Sequence, residues 1–366
     1  ERSRGLGDVY KRQGSIMVGN SRFVNNIAEQ VGGAVVAVNA DVMMDSVTFV
    51  MNHSIQTDGG GLFIENNQPD QYRNVSITNS VFAENTANGQ GAGAIIVSVN
   101  NAYTDAYLDR VEFHQNAGYA YSGYRLYGNV WSGVSNSVFS GNQAQAYAAG
   151  GGATGGANLS MDYCLIAGNQ ANLAGGTHNS GGLGVWGGSW GSFYQCTFVG
   201  NSAEYGSALT VGSGSGASVD ASIVWNNPGE NALAAVQWDD NGSNLDVYNS
   251  VVQGGESGMY ADDLSYIYHD GVLDMDPFFC DPANGDFSLD VLSHAVTPWG
   301  EPMGALGYGC EGTVMASASI LSVEDVPNDQ GGRVYITFEK SLFDTDGLGR
   351  TEMYTVERMD GDQWVG

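Results

Sequence analysis

The chain has 366 residues, and its composition excludes several classes of protein. Glycine accounts for 54 of them, about twice its usual share, which disfavours a helical fold. The formal net charge of −28 argues against nucleic acid as a partner, because binding to phosphates requires clustered lysine and arginine. No apolar run approaches the roughly 18 residues of a transmembrane helix.

The first 13 residues differ from the rest of the chain. They read ERSRGLGDVYKRQ and contain four of the twelve basic residues. They share no pattern with the segment that follows, so we interpret residues 1–13 as a non-native leader.

From residue 14 onward the chain repeats the phrase small-x-apolar-x-x-Asn. Its apolar anchors recur every 25 to 33 residues and are Phe23, Phe49, Phe82, Phe113, Phe139, Ile166, Phe198, Ile223 and Val252. Three residues after the first eight anchors stand Asn26, Asn52, Asn85, Asn116, Asn142, Asn169, Asn201 and Asn226. Self-similarity at this period is typical of a solenoid, and the alternation around each anchor is typical of a strand.

A glycine-rich step and a second apolar segment follow most of these asparagines, as in GGAV at 32–35 and GAGAI at 91–95. Each repeat therefore contains at least two short strands joined by turns. A coil of about 29 residues supplies the crossover that parallel strands require. We predict an all-β fold, a right-handed parallel β-helix of about nine coils, in which the asparagines stack as a hydrogen-bonded ladder.

These motifs resemble the repeats of polymorphic outer-membrane proteins, whose signatures are FxxN and GGA followed by Ile, Leu or Val. FVNN at 23–26 with GGAV at 32–35 carries both signatures, and FAEN at 82–85 carries the first. The resemblance covers about residues 15–312. It implies a β-helix but no single activity, because similar scaffolds serve adhesins, surface passengers and polysaccharide lyases.

The sequence motifs change after the repeats. The phrases DMDPFF at 274–279, NGDF at 284–287 and GALG at 304–307 resemble the closing segment of many bacterial β-helix proteins. We therefore assign residues 14–312 to the β-helix, with a C-terminal cap over about 256–312 that protects an open sheet edge. Residues 313–319 form a predicted linker. Residues 320–366 resemble the first half of a fibronectin type III-like module, so we expect the natural chain to continue.

Four cysteines form two pairs in the sequence. Cys164 and Cys196 occupy the same repeat position in neighbouring coils, which is compatible with buried free thiols or with a disulfide. Cys280 and Cys310 bracket the predicted cap, where a disulfide would fit an oxidising exterior. Neither pair has the spacing of a metal site.

The residues needed for lyase chemistry are scarce. Abstraction of a proton from a uronate usually requires a basic side chain and a cation. Between residues 14 and 332 the basic side chains are Arg22, Arg73, Arg110 and Arg125. We predict no catalytic residues, no metal ligands and no cofactor, with calcium retained as an alternative.

One cluster of aromatic residues is a candidate ligand-binding site. Seven tyrosine and tryptophan residues lie between Tyr103 and Trp131, with Arg125 among them. If they face outward, they form a platform on which sugar rings stack; otherwise they pack against one another. The candidate ligand-binding residues are Tyr119, Tyr121, Tyr124, Arg125 and Trp131.

Taken together, these features predict a secreted or surface-attached bacterial protein, monomeric and non-catalytic, that acts as an adhesin, stalk or display scaffold. Surface glycans or cell-surface proteins are the expected partners. The negative charge would keep such a rod soluble and discourage self-association. The alternatives are a carbohydrate-active enzyme, a lyase or glycoside hydrolase, and a carbohydrate-binding protein on the same scaffold.

Overall fold

The computed structural model describes residues 2–3, 9–172, 180–237, 241–310, 319–325, 334–339, 358–360 and 363–365. Across these ranges the protein is all-β and contains a parallel β-solenoid of about nine coils, which confirms the predicted fold class. Two short 3₁₀ turns, η1 (Gly255–Gly258) and η2 (Pro282–Asn284), are the helical elements of the described part of the chain.

The strands are short and closely spaced. In the solenoid they are, in chain order, β1 (Arg2–Ser3), β2 (Val9–Val24), β3 (Ile27–Ala28), β4 (Val35–Val50), β5 (His53–Ser54), β6 (Leu62–Asn66), β7 (Tyr72–Thr78), β8 (Val81–Ala83), β9 (Thr86–Ala87), β10 (Ala94–Ser98), β11 (Tyr103–Asp109), β12 (Glu112–His114), β13 (Ala117–Gly118), β14 (Tyr124–Gly128), β15 (Val130–Ser135), β16 (Val138–Ser140), β17 (Gln143–Ala144), β18 (Gly151–Thr154), β19 (Asn158–Asp162), β20 (Leu165–Ala167), β21 (Gln170–Ala171), β22 (Leu183–Trp186), β23 (Trp190–Tyr194), β24 (Thr197–Val199), β25 (Leu209–Gly212), β26 (Gly216–Asp220), β27 (Ile223–Trp225), β28 (Leu233–Val236), β29 (Asn244–Tyr248), β30 (Val251–Val252), β31 (Met259–Ala261) and β32 (Tyr266–Asp270). After the solenoid come β33 (Phe279–Asp281), β34 (Asp286–Asp290), β35 (Tyr308–Cys310), β36 (Ser319–Asp325), β37 (Val334–Glu339), β38 (Arg358–Asp360) and β39 (Gln363–Val365).

Each coil contributes one strand to each of three faces. Face A consists of β6, β10, β14, β18, β22, β25, β28 and β31, and face B of β7, β11, β15, β19, β23, β26, β29 and β32. Face C consists of β8, β12, β16, β20, β24, β27 and β30. The long strand β4 pairs with β6, β7 and β8 in turn, so it continues through all three faces. A shorter ladder of β3, β5, β9, β13, β17 and β21 follows the asparagine corner.

The core is a column of side chains directed to the inside of the coils. Phe23, Phe49, Phe82, Phe113 and Phe139 stack ring on ring, with centroids 4.6 to 5.0 Å apart. This separation matches the distance between neighbouring strands of a sheet, about 4.8 Å. The anchors of the repeat therefore stack because the parallel register places each one directly above the last.

A ladder of buried asparagines runs beside this column. Asn116 Nδ2 donates to Asn142 Oδ1 at 3.0 Å and to the carbonyl oxygen of Phe82 at 2.8 Å. The backbone N–H of Asn116 donates to the same Oδ1 at 3.0 Å, and Asn116 Oδ1 accepts from the side chain and backbone of Asn85. Side-chain hydrogen bonds of this kind join Asn26, Asn52, Asn85, Asn116, Asn142, Asn169, Asn201 and Asn227.

The eighth rung corrects the sequence prediction by one residue. Asn201 Nδ2 donates to Asn227 Oδ1 at 2.9 Å, whereas Asn226 is exposed at a positive φ of 49°. The strand register is shifted in the same way, since Phe198 pairs with Val224 and not with Ile223. Two asparagines stand side by side here, and Ile223 points outward, where another part of the chain covers it.

That cover is the segment over residues 274–310. Leu273 extends face C by one bridge to Val251, and the chain then folds back along the outer side of that face. Its apolar side chains pack on outward residues of β24, β27 and β30, and are Phe279, Leu289, Ala295 and Met303. The sequence predicts a cap at an open sheet edge; the described contacts of this segment are instead with the outer side of the last coils, whose outward positions are apolar.

The cysteines take two different states. Cys280 and Cys310 form a disulfide that joins β33 to β35. Cys164 and Cys196 are free and fully buried. Burial raises the pKa of the Cys196 thiol well above its usual value, so this side chain stays protonated and behaves as a small apolar group.

The two ends of the chain are described in part. The backbone of the predicted leader pairs with the solenoid in β1 and at the start of β2, where Val9 lies opposite Val35. The predicted linker falls outside the described residues except for Ser319, which begins β36. Within 320–366 the described strands form two antiparallel pairs, β36 with β37 and β38 with β39.

Removal of one rung should destabilise the solenoid. In Asn116→Ala the buried backbone N–H of Asn85 and the carbonyl oxygen of Phe82 lose their bonds to the side chain, while Asn142 Oδ1 retains only the backbone N–H at position 116; the free energy of unfolding should fall by about 3 kcal/mol. Urea denaturation followed by circular dichroism measures the change. The matched control is Asn74→Ala at an exposed position of face B, which should change the free energy by less than about 0.5 kcal/mol. Equal effects in the two variants would contradict the ladder.

Thiol alkylation should separate the two cysteine pairs. The folded, oxidised protein should take up no iodoacetamide, because Cys164 and Cys196 are buried and the other two are bonded. Mild reduction of the folded protein should add label at Cys280 and Cys310 alone, and reduction in denaturant should label all four. Peptide mass spectrometry reads the sites, and label on Cys164 in the folded protein would contradict the packing described here.

Candidate functional site

A pocket of about 290 Å³ opens on the outer side of face A, near the middle of the solenoid. Strands β14, β18 and β22 supply its floor, and the turns that precede and follow face A supply its rims. We call it the Arg125 pocket; it is lined by Gln90, Tyr121, Arg125, Tyr127, Tyr147, Thr154, Trp186, Gly187 and Ser213. Its size is near the lower end of the range for small-molecule sites, about 300 to 1,000 Å³.

Strand alternation directs the key side chains into this pocket. Along β14, Tyr124 and Leu126 point into the core, so Arg125 and Tyr127 point outward. The parallel register aligns Tyr127 with Thr154 of β18, and Thr154 with Trp186 of β22. Three successive coils therefore contribute neighbouring side chains to one outward row.

Glycines occupy the positions aligned with Arg125 on the next two coils. Arg125 pairs with Gly152 on the next coil, and Gly152 pairs with Gly184 on the one after. A Cβ atom at Gly152 would overlap the carbonyl oxygen of Gly184, and one at Gly184 would lie 2.9 Å from Trp186 Nε1. The indole of Trp186 thus packs closely over this side-chain-free part of the sheet.

The guanidinium of Arg125 is largely buried but weakly paired. Its side chain is 13% exposed, Nη1 lies 3.8 Å from Asp58 Oδ2, and Nη2 lies 3.5 Å from Thr154 Oγ1. No hydrogen-bond acceptor faces its Nε among the described residues. Burial lowers the pKa of Arg125, an effect that Tyr121 and Asp58 oppose. The group nevertheless remains charged, because arginine stays protonated in proteins.

Aromatic rings surround this charge. The Arg125 guanidinium carbon lies 5.1 Å from the ring centre of Tyr127 and 5.7 Å from that of Tyr121, within the range of cation–π attraction. Tyr121 meets Tyr147 edge to face at 5.5 Å, and Tyr147 lies 6.5 Å from Trp186. Burial raises the pKa of Tyr121 well above its usual value, so its phenol remains a hydrogen-bond donor.

The five predicted binding residues do not form a single cluster. Tyr121 and Arg125 line the pocket, and the exposed Tyr119 contacts Tyr147 at 6.5 Å beside it. Tyr124 lies in the core, where its ring stacks on Phe113 and its hydroxyl bonds Ser132 Oγ at 3.1 Å. Trp131 lies on face B, away from the pocket lining, and is 57% exposed.

Tyr147 and Trp186 line the pocket although the sequence did not predict them. They lie outside the short tyrosine-rich segment, one and two coils further along the chain. An alignment of the face A strands would have pointed to Trp186. Tyr127, Thr154 and Trp186 each lie three residues after the first residue of their strand.

Face B carries a second set of exposed aromatic side chains. We call it the face B stripe; its members are Tyr72, Tyr103, Tyr107, Trp131, Trp190, Tyr266 and Tyr268. Trp131 aligns with Asn158 and then with Trp190, so the two tryptophans stand two coils apart, about 10 Å. The ring of Trp190 lies against Gly216 of the next coil.

Within the described ranges, no three histidine, cysteine or acidic side chains are grouped to hold a metal ion. No helix in the same ranges is long and apolar enough to cross a membrane. Comparison with protein-family models gives no match to this chain, and neither curated proteins nor solved structures give one.

The buried tyrosines should make stability depend on alkaline pH. Burial raises the pKa values of Tyr121 and Tyr124 in the folded state, so the unfolded chain loses these protons first. The free energy of unfolding should therefore fall above about pH 10. Urea denaturation at about pH 8 and about pH 11 measures the loss.

Replacing both phenols identifies their share of this loss. Tyr121→Phe with Tyr124→Phe should reduce the alkaline loss of stability, whereas Tyr103→Phe with Tyr107→Phe, both exposed on face B, should leave it unchanged. The same alkaline loss in both double variants would show that other groups cause it.

Proposed function

We propose that the protein is a non-catalytic β-solenoid that binds carbohydrate through the Arg125 pocket and acts as an adhesin or display scaffold. The observation that carries this proposal is the pocket itself, which is lined by four aromatic side chains and a largely buried arginine that contacts two of them. Aromatic faces are suited to the apolar faces of sugar rings, and the hydroxyl groups of the rims are suited to sugar hydroxyls.

The scaffold supports the same proposal. A continuous parallel register and the asparagine ladder hold the pocket residues on successive coils at fixed separations. A site built on regular strands loses little freedom when a ligand binds.

The proposed setting is extracellular, in a secreted or surface-attached bacterial protein. The disulfide between Cys280 and Cys310 favours an oxidising compartment. The FxxN and GGA[ILV] motifs favour a relationship to the polymorphic outer-membrane protein repeats, and residues 320–366 a fibronectin type III-like module. The acidic composition would favour a soluble, monomeric rod.

A glycan array tests carbohydrate binding. The intact protein should bind a subset of glycans, and Trp186→Ala should weaken that binding by about tenfold through lost ring contacts. The matched control is Trp131→Ala, which removes an exposed tryptophan of face B and should leave pocket binding unchanged. Loss of binding in the control alone would place the site on face B and contradict the proposal, as would a complete lack of binding.

A further inference from the structure

We infer that the Arg125 pocket selects a single terminal sugar residue that carries a carboxylate, an inference that rests on the proposed carbohydrate-binding function. It depends on three features of the pocket: the incomplete pairing of Arg125, the open space beside it and the aromatic walls.

The first feature is a buried charge without a strong partner. Charge-assisted hydrogen bonds of arginine are usually about 2.7 to 2.9 Å long. The contacts of Arg125 with Asp58 and Thr154 are 3.8 and 3.5 Å, well beyond that range. A buried charge is costly unless it is paired, so the site has capacity for an anion that approaches the guanidinium more closely.

The partner carboxylate is itself held in place. Asp58 Oδ1 accepts a hydrogen bond from the backbone N–H of Gln90 at 2.7 Å, while its other oxygen faces Arg125. The Asp58 side chain is 31% exposed and therefore partly solvated. Asp58 thus weakly neutralises Arg125 in the free protein without occupying both arms of the guanidinium fork.

The second feature is room for a ligand group. Arg125 lines an open cavity together with Thr154, Gly187 and Ser213. The whole cavity measures about 290 Å³, which suits one ring and its substituents better than a segment of polymer.

The third feature is the composition of the pocket walls, which contain four aromatic side chains and one cation, and it decides the kind of anion. A planar carboxylate matches one guanidinium by two parallel hydrogen bonds. A phosphate or sulfate group would call for further cationic or backbone donors, and Arg125 is the one cation in the pocket lining. The aromatic walls and the hydroxyl groups of Thr154 and Ser213 favour a hydroxylated ring over a purely apolar acid.

Matched monosaccharides test the selection. Methyl glucuronide and methyl glucoside differ at one carbon, which carries a carboxylate in the first and a hydroxymethyl group in the second. Titration calorimetry should give about 10- to 100-fold tighter binding of the glucuronide, the range expected for a charge-assisted pair. The methyl ester of the glucuronide, which has the shape without the charge, should bind like the glucoside.

Substitution of the arginine should remove this preference. In Arg125→Gln the glucuronide and the glucoside should bind equally, while Arg125→Lys should retain part of the preference because it keeps the charge but not the fork. Circular dichroism and the thermal midpoint report whether each variant is folded. Arg110→Gln is the matched control, since Arg110 is exposed and pairs with Asp109 outside the pocket.

A second variant should bind the glucuronide more tightly than the intact protein does. Asp58→Asn retains an oxygen that accepts from Gln90 and removes the competing negative charge near Arg125. It should tighten binding of the glucuronide several-fold and leave the glucoside unchanged. This test stands even if the Arg125 variants do not fold.

The outcomes separate the two proposals. Equal binding of glucuronide and glucoside by the intact protein, with Trp186→Ala still weakening both, would overturn the inference and leave carbohydrate binding intact. Tighter binding of glucose 6-phosphate than of the glucuronide would also overturn the selection for a carboxylate. Binding of none of these sugars, together with a blank glycan array, would overturn both proposals.

Discussion

The buried asparagine ladder imposes one geometric condition on successive coils of the solenoid. An amide inside the core is stabilising when all its donors and acceptors are bonded and costly when they are not. Asn116 meets that condition through the coils before and after it, together with the carbonyl oxygen of Phe82. Each coil must therefore return its asparagine to the same corner, whatever the length of its turns. That requirement fixes the strand register between coils that differ in length.

The same register brings distant residues together. Arg125, Thr154 and Trp186 lie on successive coils, yet the parallel pairing makes them neighbours on the outer side of face A. At the inward positions of the coils, the register produces a stacked row of phenylalanine side chains. The outward positions can differ from coil to coil, because core packing does not constrain them. A cation lines a cavity there, and glycines occupy the aligned positions 152 and 184 on the next two coils. A repetitive interior is thus compatible with a single, non-repetitive pocket.

The pocket differs in charge from the rest of this acidic chain. The chain is strongly acidic, and the ranges assigned to the coils contain few basic side chains. One of them is largely buried among tyrosines, where its attraction for an anion is stronger than it would be in water. A cation on a rigid strand, in a weakly hydrated setting, can discriminate between ligands by charge despite the overall negative field.

The solenoid was predictable from the amino-acid sequence alone, because the anchors and asparagines must recur once per coil and that recurrence can be read along the chain. The repeat pattern predicted Asn226 with Ile223 as its anchor, whereas Asn227 forms the rung and Val224 takes the anchor position, because Ile223 lies outside, beneath residues 274–310. The sequence pattern likewise grouped Tyr121 with Tyr124. Packing places Tyr121 in the pocket lining, whereas strand alternation directs Tyr124 into the core. Trp186 joins the pocket through register across coils, a relation between strands that spacing along the chain does not fix.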